Sequence, residues 1–260
     1  MKNLLFCFLL ALTISACQND RDKTIESLAF TYDTVRVESK NEFTPNGTYI
    51  SPGKATVEFP VFKSDTINQF IKRQVFNFFA EEEQVSSYQD LAESFVKGYE
   101  DHIINSKGVV EQPWSLLITI GVLKKQANYL SLKYTHFDYT GGAHGNTAIS
   151  FLNYNPTTNH VITLDSLIQG GKMDALLKIA EAVFRKNEKL SATEPLENKY
   201  FFDKGKFSLA ENFHVTDNGL VFLYNPYEIK PYSEGYTELT IPLSALKGIA
   251  KPNTILTTQM

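Results

Sequence analysis

Leu220-Val221-Phe222-Leu223-Tyr224 is a run of five apolar residues, with Gly219 before it and Asn225-Pro226 after it. A strand with one wet face alternates apolar and polar side chains, so a run without alternation predicts a strand covered on both faces, central in its sheet. Downstream, Leu239 and Ile241 alternate with Glu238 and Thr240, as in a half-buried strand, and Pro242 to Gly248 reads as a closing helical turn. Upstream, Met173, Leu176, Leu177, Ala180, Val183 and Phe184 share one helical face, a pattern that fades by Pro195.

Further back the pattern is strand again. Trp114 to Leu123 is expected to pair with Tyr129 to Tyr139 across Lys124–Asn128, with Leu130, Leu132, Tyr134 and His136 on one buried face. Gly141-Gly142-Ala143-His144-Gly145 interrupts the extended chain, Ala148 to Tyr154 resumes it, and Asn155-Pro156-Thr157-Thr158-Asn159 turns it. Two amphipathic helices are expected before the hairpin. Ile67, Phe70, Ile71, Val75 and Phe78 mark the first; Leu91, Phe95, Val96, Tyr99 and Ile103 mark the second, with a cap at Ser87-Tyr88-Gln89-Asp90. Strand-like stretches at Leu28-Phe30-Tyr32 and Ala55 to Phe62 open the chain, separated by turn chemistry at Thr44-Pro45-Asn46-Gly47 and Ser51-Pro52-Gly53. Strands and helices in this arrangement predict an α+β fold: mainly antiparallel sheets, three amphipathic helices and two closely packed modules.

Composition is that of a globular protein, with 43% hydrophobic and 21% charged residues. A net charge of −4 without a basic run argues against nucleic acid as a partner. Met1-Lys2-Asn3 followed by the uncharged Leu4 to Ile14 reads as an export signal. Such a helix spans about 16 Å, half of the ~30 Å hydrocarbon core, and is too short to cross it. Ile14-Ser15-Ala16-Cys17 has the pattern of a bacterial lipoprotein cleavage site, which would make Cys17 the lipidated N-terminus and Gln18 to Ser27 a tether. Cleavage would also remove Cys7, leaving no cysteine pair for a disulfide and no thiol nucleophile in the folded body.

Tyr139-Thr140-Gly141-Gly142-Ala143-His144-Gly145-Asn146 resembles the Gly-Gly-Ala-His signature of the extracellular domains of RsiV-type anti-sigma factors and of the non-catalytic region of PdaC-type peptidoglycan deacetylases. So does Gly219 to Ile229 with Pro231-Tyr232 and Gly235, and Phe59-Pro60-Val61-Phe62 ahead of an Asn-bearing helix resembles the module that precedes that domain. The resemblance spans about Leu28 to Ile249 and implies a PdaC-type module 28–150 and an RsiV-like domain 151–250, which follow the signal segment 1–16 and tether 17–27 and leave a tail 251–260. It implies two jobs, lysozyme binding or accompaniment of wall chemistry. Only three residues precede the apolar segment, so a cytoplasmic sigma-binding segment is not expected. Five histidines without a close pair (102, 136, 144, 160 and 214) give a metal-dependent deacetylase domain no place either.

His144, framed by Gly141, Gly142 and Gly145, is the foremost site residue, as a turn-stabilising group, a ligand contact or a general base. Asn225, Tyr227, Glu228 and Tyr232 form the second group, with Tyr236 alongside: tyrosines on a turn either finish a core or stack on a partner. Glu228 and Glu234 read either as an acid pair or, more commonly, as a charged loop edge. His136 with His144 would need a third ligand to hold zinc, and none is evident. Ser51/Lys54 and Ser94/Lys97 match Ser-x-x-Lys without the companion motifs of such nucleophiles. Asp33-Thr34-Val35, Asp65-Thr66-Ile67 and Asp165-Ser166-Leu167 match a bacterial O-glycosylation acceptor of only three residues. The expectation is a lipid-anchored, non-enzymatic protein of the cell envelope, without cofactor or metal, that binds a lysozyme-type hydrolase or peptidoglycan. A wall hydrolase or deacylase using His144, and a purely structural lipoprotein, are the alternatives.

Overall fold

The computed structural model describes residues 24–40, 51–79, 85–106 and 112–258. The expected export signal, Cys17, the expected tether as far as residue 23 and the turn expected at Thr44–Gly47 lie outside them. Strands β1 (Phe30–Glu38), β2 (Lys54–Phe62), β3 (Ser115–Gln126), β4 (Tyr129–Tyr139), β5 (Asn146–Asn155) and β6 (His160–Val161) pair in chain order in one sheet. Every pairing is antiparallel except β2 with β3, which run parallel with Ala55 opposite Leu116 and Val57 opposite Ile118. A parallel step needs a long crossover. Helices α1 (Asp65–Phe76) and α2 (Tyr88–Asn105) supply it and cover one face of the sheet.

Alternation decides what lies under those helices. Ala55, Val57, Leu116, Ile118, Ile120, Leu130, Leu132 and Tyr134 point inward and are buried together with Ile67, Phe70, Ile71 and Val75 of α1 and Leu91, Ala92 and Val96 of α2. Both helices begin where side chains can take up free backbone donors: the Ser64 hydroxyl accepts from the Ile67 N–H at 3.5 Å and that of Ser87 from the Asp90 N–H at 3.0 Å. Asn68 ties α1 to the end of β2, its amide accepting from the Phe62 N–H and donating to the Phe62 carbonyl, both at 2.8 Å. One expectation needs correction: Phe78 shares the helical period but lies beyond the helix end at Phe76, with its exposed ring stacked on Tyr134 at 4.5 Å.

The second sheet is β7 (Phe213–Val215), β8 (Gly219–Tyr224) and β9 (Thr237–Pro242), antiparallel in that order. All of β8 is buried and it is central, as its unbroken apolar run requires. A short helix α3 (Leu164–Leu167) and the amphipathic α4 (Met173–Asn187) precede it, and Leu176, Ala180 and Phe184 of α4 pack on Leu220, Phe222, Leu239 and Ile241. The expected tail adds Ile255 and Leu256 to this core. Three amphipathic helices and two mainly antiparallel sheets make the α+β architecture that the sequence predicts.

The two sheets meet at an open strand edge. β6 is only two residues long, so the outward N–H and C=O groups of Ile149 and Phe151 on β5 have no strand beside them. Asparagine side chains stand in for one. The Asn225 amide accepts from the Ile149 N–H (2.7 Å) and donates to the Ile149 carbonyl (3.1 Å). The Asn212 amide accepts from the Phe151 N–H and donates to the Ile149 carbonyl, both at 2.7 Å. One step along, the buried Tyr129 hydroxyl donates to Asn153 at 2.7 Å and accepts from the Val215 N–H at 2.8 Å; burial pushes this phenol up to about 12. His214 stacks on Phe151 at 4.0 Å. The expected module boundary at 150–151 falls within β5, whose residues pair with β4 from Asn146 to Tyr154.

Candidate functional site

The loop between β4 and β5 carries the first motif. Gly141 and Gly142 have φ of 109° and 93°, backbone that other residues rarely adopt, and the Tyr139 hydroxyl donates to the Gly142 carbonyl at 3.0 Å. Gly145 is required for a different reason: a Cβ there would come within 2.6 Å of the Phe137 ring and 2.8 Å of the Asp138 carbonyl. The loop thus folds tightly back on β4 and leaves the His144 side chain exposed.

The second motif follows β8. Asn225 is pinned to Ile149, and its amide also donates to Glu228 at 3.0 Å. Tyr227 takes a left-handed φ of 69°, with its N–H donating to the Lys230 carbonyl, and its side chain is 60% exposed. Tyr232 begins a short 3-10 turn that Gly235 closes at φ 68°.

These two motifs, far apart in the chain, come together. The His144 imidazole stacks on the Tyr232 ring at 3.9 Å and 12° between planes, and the Tyr227 ring lies 5.6 Å from that of Tyr232, tilted by 37°. The Tyr232 hydroxyl donates to the Gly145 carbonyl at 3.0 Å, across 87 residues of sequence. His144 Nδ1 also lies 3.0 Å from that carbonyl, which can only accept, so this contact places the proton on Nδ1 and leaves Nε2 as an acceptor in the neutral ring. Alongside, the Tyr236 hydroxyl is hydrogen-bonded to Thr147. The result is a row of three aromatic rings on a braced backbone, exposed at His144 and Tyr227 and half-buried at Tyr232, chemistry suited to stacking and to accepting a hydrogen bond.

The remaining expected residues are placed as follows. Glu228 is held by Asn225, whereas Glu234 lies 4.0 Å from Lys230, which itself binds Glu188 at 2.8 Å; each acid has a partner of its own, as in a charged loop edge. His136 shares the inward parity of Leu132 and Tyr134, but it stands near the end of the sheet and is only half buried, facing a cleft separate from His144. Among the described residues, no three His, Cys, Asp or Glu side chains are grouped to hold a metal ion. Ser51 offers its carbonyl to the Tyr99 hydroxyl, and Ser94 is on the exposed side of α2. Tyr236, expected alongside the second group, does lie beside it, whereas the role of Asn212 as a backbone brace is invisible in the sequence, because an asparagine before a strand carries no pattern that would reveal it.

Two family models match this chain. Residues 165–244, which include the Asn225–Tyr232 turn, match the one described as "Protein of unknown function (DUF3298)". Residues 52–147, which include the Gly141–His144 loop, match the one described as "Deacetylase PdaC". Among solved structures, a DUF3298-family member from Bacteroides fragilis is 23% identical with a TM-score of 0.69, over 90% of this chain and 98% of its own. A DUF3298-family protein from Pseudomonas aeruginosa is 20% identical with a TM-score of 0.61, over 87% and 97%. At these identities the likeness is one of fold. No curated protein matches the chain. Among the described residues, no helix is long and apolar enough to cross a membrane.

Proposed function

We propose that this chain is a binding protein of the bacterial envelope, held by lipid at Cys17, that recognises a wall-associated ligand, a lysozyme-type hydrolase or peptidoglycan, without catalysing a reaction. The observation that carries this reading is the convergence of His144, Tyr232 and Tyr227 into one aromatic row whose His144 and Tyr227 side chains are exposed. Aromatic side chains with few rotatable bonds are efficient contact groups, and a brace at Gly145 and Ile149 lowers the cost of ordering them on binding. The His144 ring contacts a backbone carbonyl and a tyrosine, and among the described residues no carboxylate is at hydrogen-bond distance to orient it as a general base. Net negative charge favours encounter with a basic protein over an anionic polymer.

The test is affinity capture with soluble protein beginning at Gln18, offered purified lysozyme and purified wall sacculi at low and moderate salt. The wild type is expected to retain one of them, and a His144→Ala/Tyr227→Ala variant of verified fold to retain it at least ~10-fold less, the usual scale for loss of an aromatic hot spot. Equal retention by the two proteins would move the site elsewhere, and no retention at either salt would overturn the binding reading. The deacetylase in one family model's description supports a second reading, wall deacylation at His144. New products from sacculi, lost on His144→Ala, would establish it.

A further inference from the structure

Between α2 and the β3–β4 hairpin lies a cleft of about 660 Å³ whose lining shares no residue with the Tyr227 row. Trp114, Phe79, Phe95, Leu91 and Leu116 make its apolar body, and polar groups gather at one end, where His136 and Asp138 stand with Thr140. A volume of this size, mostly apolar with a few convergent polar groups, is that of a small-molecule site.

The polar end is built by strand parity. Tyr134, His136 and Asp138 are successive inward residues of β4, opposite Ile120, Ile118 and Leu116 of β3. His136 Nε2 lies 2.8 Å from Asp138 Oδ1, and its Nδ1 lies 3.1 Å from the Tyr134 hydroxyl. Burial, reinforced by the Asp138 carboxylate, raises the Tyr134 phenol and keeps it protonated. With neutral imidazole the hydrogens therefore run one way, from Tyr134 O–H to Nδ1 and from Nε2–H to the carboxylate. Both ring nitrogens are engaged, so His136 has no free lone pair for a substrate proton. Its role is to hold Asp138 in place, and Asn146 does the same from the other side, donating to Oδ2 at 3.1 Å. Each carboxylate oxygen keeps acceptor capacity, and at 17% exposure the group remains reachable from the cleft.

Two observations indicate the occupant. Among the described residues that line the cleft, Asp138 is the one carboxylate, and none is a lysine or an arginine. Gly98, in the interior of α2, also lines it. Glycine there costs a helix about 1 kcal/mol relative to alanine. A Cβ would meet only the Trp114 ring, at 3.5 Å, an ordinary contact, so packing does not demand the glycine. What its absent side chain preserves is space beside an indole face.

We propose that this cleft binds a small amphipathic amine, with its apolar or aromatic body against Trp114, Phe79 and Phe95 and its protonated nitrogen on Asp138. Cations gain from aromatic faces as well as from the carboxylate, whereas an anion would be repelled by the charge of Asp138.

Trp114 is the only tryptophan of the chain, so its fluorescence reports on the cleft directly. The experiment titrates the whole soluble chain with phenethylamine, 2-phenylethanol and phenylacetate, which share a body and differ in the head group. The expected result is a saturable Trp114 response to phenethylamine near ~1 mM, as befits so small a ligand, weaker to the alcohol and absent with phenylacetate. Asp138→Asn is expected to weaken the amine at least ~10-fold and the alcohol by less than ~2-fold, while Gly98→Leu, which occupies the space beside Trp114, weakens both alike. Thermal melts establish that each variant is folded. No saturable response to any probe, equal binding of amine and alcohol, or an Asp138→Asn variant that binds the amine as wild type does would each overturn the proposal.

Discussion

Replacing Asn212 and Asn225 by leucine, singly and together, tests whether side-chain amides close the open edge of β5. Leucine keeps the branched shape of the side chain and removes the hydrogen bonds. In Asn212→Leu the Phe151 N–H loses its acceptor, and in Asn225→Leu the Ile149 N–H loses its own. An orphaned, partly buried donor costs about 1–3 kcal/mol, so each single variant should lose about that much stability. The Ile149 carbonyl behaves differently, because it accepts from both asparagines. Each single variant leaves it one partner and the double variant leaves none. The double variant should therefore lose about 1 kcal/mol more than the sum of the singles, a coupling that neighbours sharing one acceptor must show. Urea unfolding of the four proteins measures these terms, and amide exchange at Ile149 and Phe151 locates them. Singles within about 0.5 kcal/mol of wild type, or a strictly additive double with unchanged exchange, would refute the account of how the sheets are joined.

Three further outcomes follow from the same geometry. Tyr129→Phe removes the donor to Asn153 and the acceptor of the Val215 N–H, and should cost about 1–3 kcal/mol in urea unfolding. Gly145→Ala drives a methyl group toward the Asp138 carbonyl, which cannot step aside as a ring can, and should cost about 1–3 kcal/mol in a thermal melt and weaken capture through His144. Burial, with a smaller effect of Lys133, lowers His214 from 6.5 to about 4. Between those values the unfolded chain binds a proton that the native chain refuses, so stability is full above about pH 6.5, falls as pH drops through the window and levels off below about 4. Solvent screening of a ring that is only partly buried reduces the loss to about 1–2 kcal/mol, and a pH series of unfolding curves should show it in wild type and not in His214→Phe.

What the sequence made legible is what period and parity encode. The unalternating Leu220–Tyr224 run belongs to a central strand because both of its faces are covered, and the inward set Leu130, Leu132 and Tyr134 follows from a repeat of two. Period is blind to where an element stops: Phe78 keeps the helical spacing although the helix ends at Phe76, and its ring finds Tyr134 instead. Parity is blind to depth, so His136 is on the inward face yet near the sheet's end, and only the fold places Asp138 and Trp114 around the same cleft. Both motifs of the aromatic row could be picked out one at a time. Their contact could not, because nothing in residues 139–146 or 225–232 specifies a partner 87 residues away. Asn225, before a proline, has the look of turn chemistry, and its work as a substitute strand exists only once Ile149 is beside it.

Order of appearance gives the aromatic row a further meaning. The loop that bears His144 needs only β4 and β5, but the ring that His144 stacks on arrives much later, with the last of the second sheet. Until that sheet has docked, the imidazole stands alone and the row is absent. A ligand that reads the row is thus reading a finished molecule, and a chain cut short or halted midway offers it nothing to grip. Recognition at such a seam doubles as an inspection of completeness.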